Sequence, residues 1–384
     1  MGNMYVGTKR IDGVWMKVLF INSICGIGAT GRICTDLAQE YESQGHEVKI
    51  AYGRYGYVPE KYQKYAVRIG TDLEVKIHGV MTRLFDAHGL GSKLATKKFL
   101  KWAEEYKPDL LWLHNIHEYY INYELLFEWI KKHPEMEVKW TLHDCWLFTG
   151  HCSHFTFAGC DKWKTHCENC PQKHCYPASF FLDRSKENFD RKKQAFLGVK
   201  NMTLITPSKW LADLVKQSFL KGYPVEVRYN TIDTNVFKPT PSDFREKYNS
   251  QNKKIVLGVA NPWTERKGFY DFLWLAEKLD NSYQIVLVGL TQKQLDTLPK
   301  NIIGIKRTNS PKELAEIYTA ADVFVNPTYE DNYPTTNLEA QACGTPTITY
   351  RTGGSPESVP EENVVEYGNK ELLFEKIRSV LKKK

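Results

Sequence analysis

Compact apolar runs recur along the chain at intervals that fit strands separated by helices. Residues 16–22 form the first, followed by the glycine-rich turn Cys25-Gly26-Ile27-Gly28-Ala29-Thr30-Gly31-Arg32 and a helix-periodic segment at 33–43. Gln44-Gly45-His46 ends that helix and residues 47–51 restart a strand. The pattern predicts a βαβ unit with glycines where backbone must approach a ligand. Further strands are expected at 109–114, at 138–143 ending in His143-Asp144-Cys145-Trp146, and at 202–206, with a helix at 210–219. Ligands gather at the carboxyl ends of such strands.

The polar, proline-bearing stretch Phe237-Lys238-Pro239-Thr240-Pro241 reads as a linker, and beyond it the alternation begins again. Strands are expected at 254–260, 284–289 and 323–325, with helices at 269–279 and 314–321. Two successive alternations predict an α/β chain of two doubly wound, Rossmann-like domains facing a cleft. The expected division is an N-terminal extension at 1–15, a first domain at 16–232 and a second at 233–369. A final helix at 370–384, ending in three lysines, is expected to return to the first domain.

At 384 residues the chain exceeds the size of one growing core, which supports the two-domain reading. No run approaches the roughly 20 apolar residues of a membrane span, and the first fifteen lack the apolar block of a signal peptide. The expected location is the cytoplasm. Nine cysteines, six of them within 145–175, argue against a secreted disulfide framework. A net charge of +7, dispersed along the chain, forms no nucleic-acid stripe. Between Gly89 and Tyr106, Lys93, Lys97, Lys98 and Lys101 interleave with Leu94, Phe99, Leu100 and Trp102. That helix is either a solvated face or a peripheral contact with an anionic inner-membrane surface, on its cytoplasmic side.

Residues 321–346 carry the most chemistry. A strand ended by Asn326-Pro327 leads into the acidic loop Glu330-Asp331, then Tyr333-Pro334-Thr335-Thr336, then a helix containing Glu339. A helix N-terminus with free amides receives anions, phosphate above all, and a carboxylate one turn in can face sugar hydroxyls. The layout suggests a sugar nucleotide. No Asp-x-Asp occurs, which favours diphosphate binding without a metal and no cofactor for catalysis. Separately, Cys152, Cys160, Cys167 and Cys170 include a Cys-x2-Cys and are either buried thiols or a structural zinc set in an insertion at 145–175.

On these residues the chain resembles the family 4 retaining glycosyltransferases of the GT-B fold. Asp331, Glu339, Ala340, Ala342, Gly344 and Pro346 match that family's acidic-x7-Glu-Ala-x-Ala-x-Gly-x-Pro pattern, Lys267-Gly268 its Lys-Gly, and Gly28 to Arg32 its glycine loop. The 142–152 segment with Gly258-Val259-Ala260-Asn261-Pro262-Trp263 is similar to capsule, exopolysaccharide and colanic-acid type members. The resemblance implies a metal-independent transferase moving a sugar from a nucleotide-sugar donor, UDP first, to a lipid-linked or glycan acceptor of bacterial envelope polysaccharide. It places Asp331, His143 and Lys267 at the reaction, with Gly28, Gly31, Arg266, Lys267, Glu330, Tyr333, Thr335, Thr336 and Glu339 on the donor. Whether Asp331 or Glu330 meets the sugar stays open, and so does whether Arg266 or Trp263 rearranges the diphosphate contact. His143 by position alone reads first as a hydrogen-bonded core histidine. The alternatives in other classes are a catalytically silent sugar-nucleotide-binding module and a sugar-nucleotide epimerase.

Overall fold

The computed structural model describes residues 15–382. The extension expected at 1–15 therefore lies, apart from Trp15, outside the described residues, as do Lys383 and Lys384. Thirteen strands are described: β1 (Lys17–Ile21), β2 (Glu47–Tyr52), β3 (Ala66–Arg68), β4 (Leu110–Leu113), β5 (Glu137–Thr141), β6 (Met202–Thr206), β7 (Val225–Val227), β8 (Lys254–Val259), β9 (Tyr283–Val288), β10 (Ile302–Ile305), β11 (Val323–Asn326), β12 (Thr347–Tyr350) and β13 (Val364–Val365). They form a seven-stranded sheet in the order β3-β2-β1-β4-β5-β6-β7 and a six-stranded sheet in the order β10-β9-β8-β11-β12-β13. Pairing is parallel from β3 to β6 and throughout the second sheet. Parallel strands covered on both faces read as continuous apolar runs, and β4 (Leu-Leu-Trp-Leu) is buried at every position.

Helices of the first sheet are α1 (Gly28–Ser43), α2 (Asp72–Phe85), α3 (Lys93–Tyr106), α4 (Tyr123–Lys131), α5 (Ser185–Phe196) and α6 (Lys209–Gln217). Those of the second are α7 (Phe244–Lys247), α8 (Phe269–Lys278), α9 (Gln292–Asp296), α10 (Pro311–Ala320), α11 (Thr335–Ala342) and α12 (Lys370–Lys382). The strands expected from apolar runs fall where strands are found, whereas β3, β10, β12, α2, α4 and α5 lie outside the expected set. In α5 the sequence Ser-Lys-Glu-Asn-Phe-Asp-Arg-Lys-Lys-Gln-Ala-Phe carries little apolar periodicity, and tertiary burial of Phe189 and Phe196 supplies what the pattern does not show.

The chain divides into two compact units. One runs to Ser153 and takes up Lys162–Ile205 and Val215–Glu226; the other comprises His154–Asp161, Thr206–Leu214 and Val227 onward. In the first, Phe20, Trp112, Ile50 and Cys34 lie in one apolar cluster, Phe20 and Trp112 stacked at 5.6 Å. In the second, one cluster gathers Phe272, Ile285, Leu287 and Ile348, and another Ile255, Val286, Tyr318 and Phe324.

One expectation is corrected here. The 237–241 stretch is no free linker: Phe237 is buried in the second unit's core with Tyr318, and the Thr240 amide donates to Thr319 Oγ1 at 2.9 Å. The final helix, expected to return to the first domain, buries the stripe Leu373, Ile377 and Leu381 against Phe272, Val325 and Ile348 of the second unit.

Candidate functional site

In the second unit the residues after β8 turn through a short 3-10 segment, Glu265–Lys267, into Gly268. Gly268 has φ +76°, and a Cβ there would lie 2.2 Å from the Pro327 carbonyl oxygen, so this turn can approach the β11 end only as glycine. That approach laces two loops together. The Tyr329 amide donates to the Arg266 carbonyl at 2.7 Å, and Arg266 Nη1 donates to the Glu330 carbonyl at 2.6 Å. Lys267 Nζ forms a hydrogen-bonded ion pair with Asp331 Oδ2.

The two neighbouring carboxylates, interchangeable in sequence, have different surroundings. Glu330 is buried, and its oxygens accept the amides of Phe155 and Phe157 at 3.1 and 3.0 Å. Burial raises its pKa against those amide bonds and the charge of Arg266. Asp331 also pays desolvation, but the charge and hydrogen bond of Lys267, with Arg266 and His154 beyond, hold its pKa below the ordinary carboxylate value. Glu330 thus ties a segment to the loop, while Asp331 stays ionised beside a cation. Of the two candidates for the diphosphate contact, Trp263 is buried with its indole N–H on the Val288 carbonyl at 2.8 Å. Arg266 remains.

α11 begins directly after Pro334, with no side-chain cap and no acid in its first turn. Thr335 and Thr336 open it, so its amide end is receptive to an anion. Beneath this turn a buried network fixes the helix: Asn326 Nδ2 donates to Asn337 Oδ1 at 2.9 Å, and Asn337 Nδ2 to Ser358 Oγ at 2.8 Å. Glu339 is buried and accepts the Tyr318 hydroxyl at 3.1 Å. Tyr333 packs against Tyr229 with ring centres 5.0 Å apart, and burial pushes its hydroxyl pKa up to about 12.

Several positioning residues were outside the sequence expectations. Gly353 (φ +57°) and Gly354 back the acidic loop so closely that a Cβ would meet the Asp331 carbonyl oxygen at 2.0 Å and that of Asn332 at 1.9 Å. Asn332 Oδ1 accepts Ser208 Oγ–H at 2.7 Å. Glu357 receives the amides of Lys209 and Trp210, both at 2.8 Å, at the start of α6. The Gly-Gly pair directly after a Thr-rich strand was the one signal available for this layer.

In the first unit Gly28 (φ +63°) opens α1, whose N-terminus likewise has no side-chain cap and no acid in its first turn. Gly31 is buried there, and a Cβ on it would press to 3.2 Å from both the Gly26 nitrogen and the Ile24 side chain. His143 follows β5, its Nε2 within 3.0 Å of His114 Nδ1, and burial lowers its pKa to about 4. The imidazole is therefore neutral at neutral pH. Next to it, Asp144 Oδ2 lies 3.2 Å from buried His117 Nε2.

The four-cysteine set is not gathered as a metal site. Among the described residues no group of three or more His, Cys, Asp or Glu is arranged to hold an ion. Cys160 lies in the segment that clusters with the second unit, whereas Cys152, Cys167 and Cys170 belong to the first. A hydrogen bond with Cys152 helps lower the Cys170 thiol to about 7.

Against known proteins, the family described as Glycosyl transferases group 1 matches residues 242–384, the part holding Arg266, Lys267, Asp331 and Glu339. That match is confined to the second unit's part of the chain, and it is this region that is similar to the group 1 glycosyltransferases. Over 377 residues it is 24% identical to an Escherichia coli (strain K12) protein named for a glycosyl transferase of colanic acid biosynthesis, spanning 93% of this chain and 89% of that one. Its structure is similar to sucrose-phosphate synthase from Thermosynechococcus elongatus, with 16% identity, TM-score 0.70 and coverage of 96% of this chain and 90% of the other. It is also similar to the Anabaena protein HepE, solved in complex with UDP, with 15% identity, TM-score 0.64 and coverage of 96% and 90%. These likenesses show the GT-B fold. Among the described residues no helix is long and apolar enough to cross a membrane.

Proposed function

We propose that this enzyme transfers a sugar, with retention and without a metal, from a UDP-sugar to a lipid-linked or glycan acceptor in envelope polysaccharide synthesis. The observation that carries the reading is the Lys267–Asp331 pair, with Arg266 on the same loop and the uncapped start of α11 following within four residues. Breaking a glycosidic bond to a diphosphate needs positive charge and amide donors where the leaving group develops its charge. Lys267, Arg266 and the α11 amides supply both. Asp331, kept ionised, faces the opposite demand: an anion beside an oxocarbenium-like sugar. Glu339 takes the ribose hydroxyls in this reading, and the leaving phosphate accepts the acceptor's proton, so no separate base is required. The uridine donor and the polysaccharide setting follow the relatives, one solved with UDP and one named for colanic acid biosynthesis.

The test is nucleotide release. Incubated with UDP- and GDP-sugars, the protein should hydrolyse one donor slowly without acceptor, and Glu339→Ala and Lys267→Ala should abolish that release while remaining folded. Undiminished release by Lys267→Ala would sink the assignment.

A further inference from the structure

The first unit carries a face whose apolar residues point outward. On α2, Leu73, Ile77 and Val80 recur at helical spacing and are exposed, at 67% for Leu73, while the same helix buries His78, Gly79 and Thr82 on its other side. Two further segments are held to it. The Phe180 amide donates to the Arg83 carbonyl at 2.8 Å, setting the turn Phe180-Phe181-Leu182 beside the end of α2, with Phe181 70% exposed. Ser179 Oγ closes that turn by donating to the Leu182 carbonyl at 2.6 Å. On the other side, buried His78 accepts the amides of Gly89 and Gly91 at 3.1 and 3.0 Å and contacts Ser92 Oγ at 2.9 Å. That clamp sets the first turn of α3, where Leu94 is 79% exposed.

Cations accompany these side chains. Lys76 and Arg83 of α2 and Lys93, Lys97, Lys98 and Lys101 of α3 are all exposed. Of the nearby acids, Asp72 pairs with Arg68 and Glu74 closes the Thr71 cap, while Glu105 of α3 is exposed, so cations outnumber free acids on this face. Of the apolar members of α3, Leu94 is exposed whereas Phe99 is buried inward, so the outward apolar surface comes from Leu94, α2 and the 180–182 turn. Between the first turns of α2 and α3 lies an open groove of about 440 Å³ bordered by Arg68, Lys98, Leu94 and Trp102.

We propose that this face seats the enzyme on an anionic bilayer, with Phe181, Leu182, Ile77 and Leu94 entering the headgroup boundary and the lysines meeting lipid phosphates. The proposal extends the lipid-linked acceptor of the reading above. A second copy of the chain fits less well. A two-fold interface would set the lysine row of α3 against its own symmetry mate, where like charges repel and charge is normally depleted.

The experiment is co-sedimentation of the full chain, without donor, with phosphatidylcholine vesicles prepared with and without phosphatidylglycerol. Wild type should pellet with the anionic vesicles. Phe181→Ser and Ile77→Ser should each weaken partitioning about tenfold, in keeping with loss of one buried apolar side chain. The double change Lys97→Glu/Lys98→Glu should remove the preference for anionic vesicles, and Phe181→Trp emission should be quenched by brominated acyl chains. All are exposed positions, so thermal melting should be unchanged. Wild type left in the supernatant with both lipids, or pelleting unaltered in Phe181→Ser, overturns the proposal. A wild-type dimer in light scattering that dissociates on Phe181→Ser overturns it in favour of self-association. Acceptor-free donor hydrolysis should be the same in these variants as in wild type, so failure here is distinguishable from failure of the transferase reading.

Discussion

Lys267 and Asp331 neutralise one another at the rim of the α11 amide end, each side chain about one-fifth exposed. A lysine so placed is a cation already oriented by its partner. In the proposed reaction an incoming diphosphate competes with Asp331 for it, and the two loops that carry these residues are braced by the Arg266–Glu330 hydrogen bond and by the glycines at 353 and 354.

Lys267→Ala should lower acceptor-free nucleotide release by about 10²–10³-fold, the usual loss when one fixed donor to a developing anion is removed. Lys267→Arg should retain part of it. Asp331→Asn keeps the shape and removes the charge, and its effect should be on kcat more than on KM. The linkage sign follows from the lowered pKa of Asp331. A depressed carboxylate contributes stability above its unfolded pKa, and that contribution is lost as pH falls through its folded value. Wild type should therefore be more stable than Asp331→Asn at neutral pH, with the difference closing in strong acid. Urea midpoints across pH measure it.

Glu330 is assigned the structural half of the acidic pair. Glu330→Ala leaves the amides of Phe155 and Phe157 without their acceptor and opens a buried space, at a cost of about 2–4 kcal/mol. Donor hydrolysis per folded molecule should fall less than in Asp331→Asn. If the order of the two variants is reversed in the activity assay, the sugar-facing carboxylate is Glu330.

How much of this was legible in the sequence varies by layer. The apolar runs of β1, β4, β8 and β9 identify themselves because parallel strands must be apolar on both faces. Asp331, Glu339 and Lys267 were legible as a motif. What divides Glu330 from Asp331 was not, since it depends on amides some 175 residues away in sequence. α2 escaped for the opposite reason: its buried positions are His78, Gly79 and Thr82 while Leu73, Ile77 and Val80 are exposed, so its apolar spacing does not mark a core-facing stripe.

Lys192 gives a pH test within the first unit. It is buried, its Nζ donates to the carbonyls of Trp146 and Thr149 at 2.6 and 3.0 Å, and burial pulls its pKa down to about 7. A neutral amine has two hydrogens for those two carbonyls. Between about pH 7 and the ordinary lysine value the unfolded chain binds the proton and the folded one does not, so stability should rise with pH across that window. Lys192→Met should flatten the rise while lowering stability at high pH, because two buried carbonyls lose their donor. Denaturant midpoints at several pH values on both proteins are the measurement. A parallel rise in both removes Lys192 as its origin.

His143 supplies the acid-side counterpart. Its contact with His114 requires one ring to donate and the other to accept, which a doubly protonated pair cannot do. With the folded pKa lowered to about 4, the unfolded chain binds this proton more readily below about 6.5. Stability should thus fall as pH drops from about 6.5 to about 4, the reverse of a histidine held by an acidic partner. His143→Gln keeps an acceptor and a donor beside His114, and should lose most of that dependence. Ring-nitrogen NMR should show the His143 imidazole neutral at pH 6, and the pH profile of nucleotide release should lack a limb near 6.5 assignable to it. A limb at that position that disappears in His143→Gln would mean that the ring is charged during turnover, and its role would then be that of a cation at the reacting sugar rather than a neutral hydrogen-bonding group.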